Sequence, residues 1–564
     1  DGEPLFNLGL SLQLQGKIDE AYDYFYKATW NSAWQDSGFF HAAQIAAVRG
    51  DYQKALELVS SSLNRNALNQ KARHLKAILL RKTGQQDEAL KCIEEALTLD
   101  KFSYGILYEK YLLLNSRNIL SEMKALMRGY IHNFIEFSLD YAASGFYSEA
   151  ESFIMEGVTN PDDVYPMVYY LAGWYANSAN DLERSLTLFA KASQMSPDYC
   201  FPNRIEELLA LKTAVSLNPD DAKANYYLGN YWYSNRQYTE AVSCWEKSAS
   251  IDDSFPTVHR NLALACFNKQ DNPTKAKASL EKAFSLDETD ARVFMELDQL
   301  YKKLNKSLEF RLEILDKYSE LVNSRDDLYL ERLTLLNLKG DEEDALKLLA
   351  NRQFHPWEGG EGKVTGQYLY SHIELAKKAI SEDKFEDALK HLDNTAQYPH
   401  NLGEGKLYGA LENDILYWRG CAYAGLNEYD KAKTEWQKAS EGSMEPAISM
   451  YYNDQHPDKI FYQGLALKKL NRDDLAKQKC TGLLTFGKEQ LQTPFKMDYF
   501  AVSLPDLLIF EEDMQKRHET ECHYLIGLGH LGLDEVDKAN GEFEKVLNVN
   551  RFHQGARVHR EMNV

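Results

Sequence analysis

A Gly-Glu-Gly-Lys tetrad occurs twice in this chain, at residues 360–363 and 403–406, and its two lysines, Lys363 and Lys406, stand 43 positions apart. Glycines in such a segment let backbone N–H groups turn toward a ligand, and a helix starting there favours anions or polar oxygens at its N-terminus. Trp357, Glu358, Glu361, Lys363, Glu404 and Lys406 would surround that backbone with an aromatic platform, carboxylates and ammonium groups. Two uses compete for these residues. They form a docking or ligand site, since long loops tend to carry function; or the glycines only permit tight turns and the charges are solvated. GGEGKVT is not a phosphate-binding loop. Trp357 stands where that motif needs its first glycine, Val364 where it needs Ser or Thr, and no strand precedes it.

A second set of side chains sits at helical spacing. Tyr170, Trp174, Tyr226, Asn230, Tyr233 and Arg260 are expected on the concave face of a helical stack. Aromatic faces beside amide and guanidinium groups suit extended peptides, and sugar rings too. The bland use of the same tyrosines is packing between neighbouring helices. Phe6, Phe40 and His74 occupy the positions where a clamp for a C-terminal carboxylate would carry lysines, so that kind of clamp is not expected. His518 and Cys522 share a helix face, but the second histidine of a zinc-protease motif is displaced to His523. No metal and no cofactor is expected there.

The elements that must position these groups are helical hairpins. Ala21, Ala55 and Ala89 lie 34 residues apart in the phrases GKIDEAYDYFYKA, GDYQKALELVSSS and GQQDEALKCIEEA. A 34-residue period of small residues flanked by larger apolar ones identifies tetratricopeptide repeats. Gly16, Gly50 and Gly84 end the first helix of each hairpin, where a left-handed residue is needed. The pattern weakens over 104–160 and returns at Leu171, Gly173 and Trp174. In the last third Ala388, Ala432 and Ala476 are 44 apart, so each repeat carries extra residues. Insertions in solenoids usually gather on one face. The expected fold is all-α, a tetratricopeptide superhelix of about 11–13 hairpins. Its stretches are 1–103 (regular repeats), 104–350 (partly degenerate) and 351–564 (loop insertions and a C-terminal capping helix).

The chain has 564 residues, 44% of them hydrophobic and 26% charged, which excludes a disordered chain. A net charge of −21 argues against nucleic acid, whose phosphates need basic residues. No apolar run approaches the ~20 residues of a membrane span, so no membrane insertion is expected. Seven scattered cysteines read as small apolar fillers and favour a reducing cytoplasm, although the compartment stays open. The chain begins at Asp1 and is read as a fragment or a processed product.

FHPWEGGEGKVTGQY, NLGEGKLYGALEND and MDYFAVSLPDLLIFEEDMQKR, with CHYLIGLGHLGL, resemble a group of large bacterial proteins. In that group a mutarotase-like β-sandwich domain of uncharacterised function precedes a long repeat array. The resemblance covers about 350–550 and implies bacterial origin and a link to carbohydrate metabolism; it carries over no catalytic residue. The function expected is therefore a non-catalytic scaffold that binds a protein or peptide through its concave face and the paired loops. The partner could be the chain's own missing N-terminal domain. The alternative is the accessory half of a carbohydrate-active enzyme, with the loops completing or covering a sugar site.

Overall fold

The computed structural model describes residues 1–357, 360–443, 445–448, 456–496 and 509–562. Among them are 31 α-helices and no β-strand. Successive helices pair as antiparallel hairpins, beginning with Gly2–Leu14 on Ile18–Ala28 and Gln35–Val48 on Tyr52–Arg65.

The local causes repeat along the chain. One left-handed residue closes the turn inside each hairpin. It is Gly16, Gly50 and Gly84 in the regular repeats, with φ of +76°, +80° and +78°. Further on, Asn180, Asn427 and Asn471 take φ of +57° to +64°, a conformation asparagine tolerates better than most residues. Aspartates and asparagines start many helices. Asp51 accepts from Lys54 N at 3.1 Å, Asp181 from Arg184 N at 3.0 Å and Asp221 from Ala224 N at 2.9 Å. Each bond satisfies a donor that the first helical turn leaves open.

Within hairpins a glycine on the first helix meets an aromatic ring sixteen positions later: Gly9 and Phe25, Gly173 and Phe189, Gly229 and Trp245, Gly420 and Trp436, Gly527 and Phe543. A Cβ on Gly229 would lie 2.3 Å from Trp245, whose Nε1 is held by Tyr226 O at 3.2 Å and Asn230 Oδ1 at 3.1 Å. The ring cannot retreat without losing both bonds. Gly229→Val is therefore expected to cost about 1–3 kcal/mol by overpacking. Gly541→Ala, with nothing within 4 Å of the added carbon, should gain about 0.4–1 kcal/mol. Urea denaturation of both variants checks the contrast, and equal effects would refute it.

The chain forms two compact units, Asp1–Ser254 and Phe255–Val564. In the first, the stretch with the weak sequence pattern is still hairpin. Tyr104–Leu114 and Arg117–Met127 turn at Asn115, and Ile131–Ala142 and Tyr147–Met155 turn at Gly145. Aromatic packing of Tyr108, Phe134, Tyr141 and Phe153 replaces the small-residue pattern there.

The second unit closes on itself. Asn305 Nδ2 donates to Val549 O at 3.1 Å, and Arg551 N donates to Asn305 Oδ1 at 3.2 Å. Gln367 and Gln554 exchange amide bonds at 2.9 and 3.0 Å, and Arg557 donates to Leu338 O at 3.1 Å. Near its start, Asn268 donates to Ile509 O at 2.9 Å while Phe267 packs edge-on against Phe510 at 5.0 Å. The helix Gln554–Arg560, expected as a polar cap, thus has Ala556 and His559 buried against the unit's interior.

Candidate functional site

The two Gly-Glu-Gly-Lys loops lie against each other in the second unit. Phe354 N donates to Asn401 O at 2.8 Å, and Asn401 Nδ2 reaches Leu349 O and Arg352 O at 2.7 and 2.9 Å. Gly403, at φ +79°, brings its Cα within reach of Phe354 O, which a Cβ would meet at 2.8 Å. Glu404 then crosses to the other loop. Its carboxylate accepts from Gly362 N at 3.1 and 3.0 Å and from Thr365 Oγ1 at 3.3 Å, at the start of the helix Lys363–Ser381. A carboxylate is well placed there, since it meets an open donor and the positive end of the helix dipole. The loop whose backbone was expected to hold a ligand's oxygens therefore holds the chain's own.

Glu361, Lys363 and Lys406 stand on the wall of a cavity of about 620 Å³. Lys406 is ion-paired with Glu412 and reaches Ala396 O at 3.4 Å. Trp357 packs over Gly360, where a Cβ would lie 2.2 Å from the indole, and against the apolar core. Glu358 lies outside the described residues, as does the whole of the MDYFAVSLPDLL phrase.

The mid-chain set is divided between the two units. Tyr170 is fully buried, with its hydroxyl 3.2 and 3.0 Å from the two oxygens of Asp221. Tyr226 is buried as well, and its carbonyl shares Trp245 Nε1 with Asn230. Tyr233 packs on Tyr238 and Trp245 at 5.1 and 5.3 Å. Trp174 lines a shallow recess with Leu209 and Lys212. Arg260 belongs to the second unit, where Glu296 holds it through two bonds of 2.7 and 2.6 Å. Tyr170 and Arg260 thus join one hairpin to the next, while Tyr226 and Tyr233 are engaged within their own. His518 Nε2 donates to Gln490 O, 3.0 Å away, and burial pushes the Cys522 thiol up to about 12.

The cavity's floor comes from residues outside both sets. Its walls are first helices of successive hairpins: Lys363–Ser381, Asn413–Gly425, Pro457–Lys469 and Met514–Gly532, with Gln554–Arg560 across them. Lys459 Nζ lies 2.6 Å from Asp414 Oδ1 and 3.9 Å from Asp458 Oδ2. Burial opposes the Asp458 charge, but Lys459, His456 and His559 outweigh it and hold the carboxyl below its usual range. His559 is 3% exposed. Its Nδ1 donates to Gly555 O at 2.7 Å and lies 3.1 Å from Tyr524 Oη, while Nε2 is buried with no partner among the described residues. Burial brings this imidazole down to about 4, so it is neutral at pH 7, with the Nε2 lone pair as an acceptor. Tyr462 and Tyr524 flank it at 5.7 and 5.9 Å between ring centres. Asp414 and Asp458 were legible in principle, since they stand 44 apart, the repeat length of this region. No group of three His, Cys, Asp or Glu side chains among the described residues could hold a metal ion. No helix among them is long and apolar enough to cross a membrane.

Comparison with known proteins places the repeats. Tetratricopeptide-repeat models match residues 3–29, 70–102 and 208–256. The chain thus carries tetratricopeptide repeats within an all-α repeat fold. Among curated proteins, Protein unc-45 homolog B of Xenopus tropicalis is 30% identical over 80 residues, 14% of this chain and 9% of that protein. Among solved structures, yeast Tom70 is 13% identical, with 99% of this chain and 96% of that one covered and a TM-score of 0.26. YrrB, described as a tetratricopeptide protein with an unusual peptide-binding site, is 16% identical over 42% of this chain and 97% of that one, with a TM-score of 0.17. None of these likenesses bears on what this chain binds.

Proposed function

We propose that the chain is a non-catalytic scaffold that binds a protein or peptide partner, and that the partner docks at the cleft of the second unit beside the paired loops. The observation that carries this reading is the rim. Leu407 is 54% exposed, Tyr408 is fully exposed and Leu411 is 41% exposed, and Leu411 also lines the cavity. Apolar side chains held out in water next to a cavity mark an interaction surface. The walls are also the hairpin face that repeat proteins turn to their partners. An exposed tyrosine supplies contact area at small entropic cost, which makes Tyr408 the expected anchor.

The test is selection of a random twelve-residue peptide display library on the full chain, followed by calorimetric titration of the enriched peptides. Leu407→Ser/Tyr408→Ser should weaken their binding at least tenfold, in line with about 1.4 kcal/mol per tenfold. Peptides that bind both proteins equally well would sink the rim as the docking site. An empty selection would sink the peptide reading altogether.

A further inference from the structure

We infer that the cavity beside this rim receives a basic side chain of the partner segment, the ammonium of a lysine or the guanidinium of an arginine. The inference rests on the peptide-cleft reading above and adds the chemistry of the inserted group.

Charge pairing on the walls comes first. Lys406 is taken by Glu412 and Lys459 by Asp414, and the wall carboxylate Glu374 is taken at 2.9 Å on each oxygen by Lys377, which stands behind the wall. Arg517 lies 3.6 Å from Glu512. Each of these cations is matched by a carboxylate of its own. Of the wall carboxylates, Glu361, which is exposed like the wall's Lys363, Asp458 and Glu521 remain. Asp458 has Lys459 at 3.9 Å, a lysine already engaged at shorter range, and Glu521 has the His553 imidazole at 3.6 Å. Among the described residues, two half-buried carboxylates thus line the cavity without a dedicated cation. A buried or half-buried charge of this kind gains most from a desolvated partner of opposite sign.

His559 is an independent observation. His559 lines the cavity and its Nε2 has no hydrogen-bond partner among the described residues, and a buried acceptor left open costs free energy that a ligand N–H reaching it would recover. An anionic ligand brings no such donor and would be repelled by Asp458 and Glu521. The flanking rings of Tyr462 and Tyr524 add faces that attract cations. The chain's net charge of −21 favours the approach of a basic segment over long range.

The same library decides. Enriched peptides should share a lysine or arginine, and replacing it by norleucine or alanine should cost at least tenfold in affinity. Asp458→Asn, nearly isosteric, should cost the same for the parent peptide and add little once the basic residue is gone. Glu521→Gln serves as the second variant should Asp458→Asn disturb the helix start. Raising salt from 0.05 to 0.5 M should weaken the parent peptide more than its neutral derivative. Enriched peptides that are neutral or acidic, or that ignore both variants while still depending on Leu407 and Tyr408, would overturn this inference and leave the cleft reading standing. No enriched peptide, with binding on a glycan array run beside it, would overturn both.

Discussion

Replacing Arg311 by alanine is expected to lower the unfolding free energy of the second unit by about 3–5 kcal/mol. The guanidinium has no exposed surface. Its Nε and Nη2 meet the two oxygens of Asp298 at 2.9 and 2.6 Å, and Nη2 also reaches Glu331 Oε2 at 2.9 Å. Lys302 completes the set at 2.6 Å from the other Glu331 oxygen. Alanine would leave Asp298, 3% exposed, with its charge and no partner. The penalty is that stranded charge, more than the lost attraction. The guanidinium also lies 4.6 Å from the ring centre of Phe552, on the segment that returns to close the unit, so closure and the ion cluster share one residue. Calorimetric melting of the variant beside Arg325→Ala gives the check. The Arg325–Asp327 pair is about one-third exposed on both sides, and its loss should cost no more than about 1 kcal/mol. Replacing Arg311, Asp298 and Glu331 together by apolar residues of similar volume should recover much of the loss. Equal melting of Arg311→Ala and Arg325→Ala would show that the cluster is not a folding element.

The hairpins were legible because their determinants are local. Ala21, Ala55 and Ala89 mark the period, Gly16, Gly50 and Gly84 the turns, and both kinds of signal act within one repeat. The GEGK loops were legible as a pair for the same reason. What they do was less so. Whether Glu404 faces a ligand or caps its neighbour's helix depends on the angle between adjacent repeats, which no period encodes. Tyr170 and Tyr226 show the same limit, because one helix face both lines a groove and meets the next repeat, and a few tens of degrees decide which. Closure of the second unit joins Asn305 to Val549 and Gln367 to Gln554. It arises from many small repeat rotations adding up, so His559 reaches Asp458 and Tyr524 only in the folded unit. The 44-residue step from Asp414 to Asp458 was the one sequence signal for the cavity floor.

Acidification from pH 6.5 to pH 4 is expected to destabilise the chain well before its carboxylates are fully protonated. Burial carries His74 down to about 3, with Lys71 and Arg81 adding to the effect, and carries His372 and His559 down to about 4. His74 stands edge-on against Tyr141 at 4.6 Å, with Nε2 unpartnered, so a proton there adds an unsolvated cation near two others. The unfolded chain takes up these protons near pH 6.5 and the folded chain only near pH 3–4. Between those limits the unfolded state binds more protons, and stability falls as pH falls. Each pKa unit is worth about 1.4 kcal/mol, so each of these buried imidazoles carries on the order of 3 kcal/mol. Asp140, Asp221 and Glu342, raised by burial, work in the opposite direction, since their folded forms take up a proton first. Glu331 adds to the loss only below about pH 4.5, where its lysine and arginine partners have kept it ionised. Burial lowers His41, His132 and His391 as well, and six imidazoles against three such carboxyls give a net loss across the window. Denaturant midpoints at pH 7.5, 6.5, 5.5 and 4.5 should fall progressively. His74→Phe, which keeps a ring over Gly105 and cannot protonate, should flatten the dependence of the first unit. A midpoint that holds steady down to pH 4.5 in the unsubstituted chain would mean that these imidazoles reach water in the folded state.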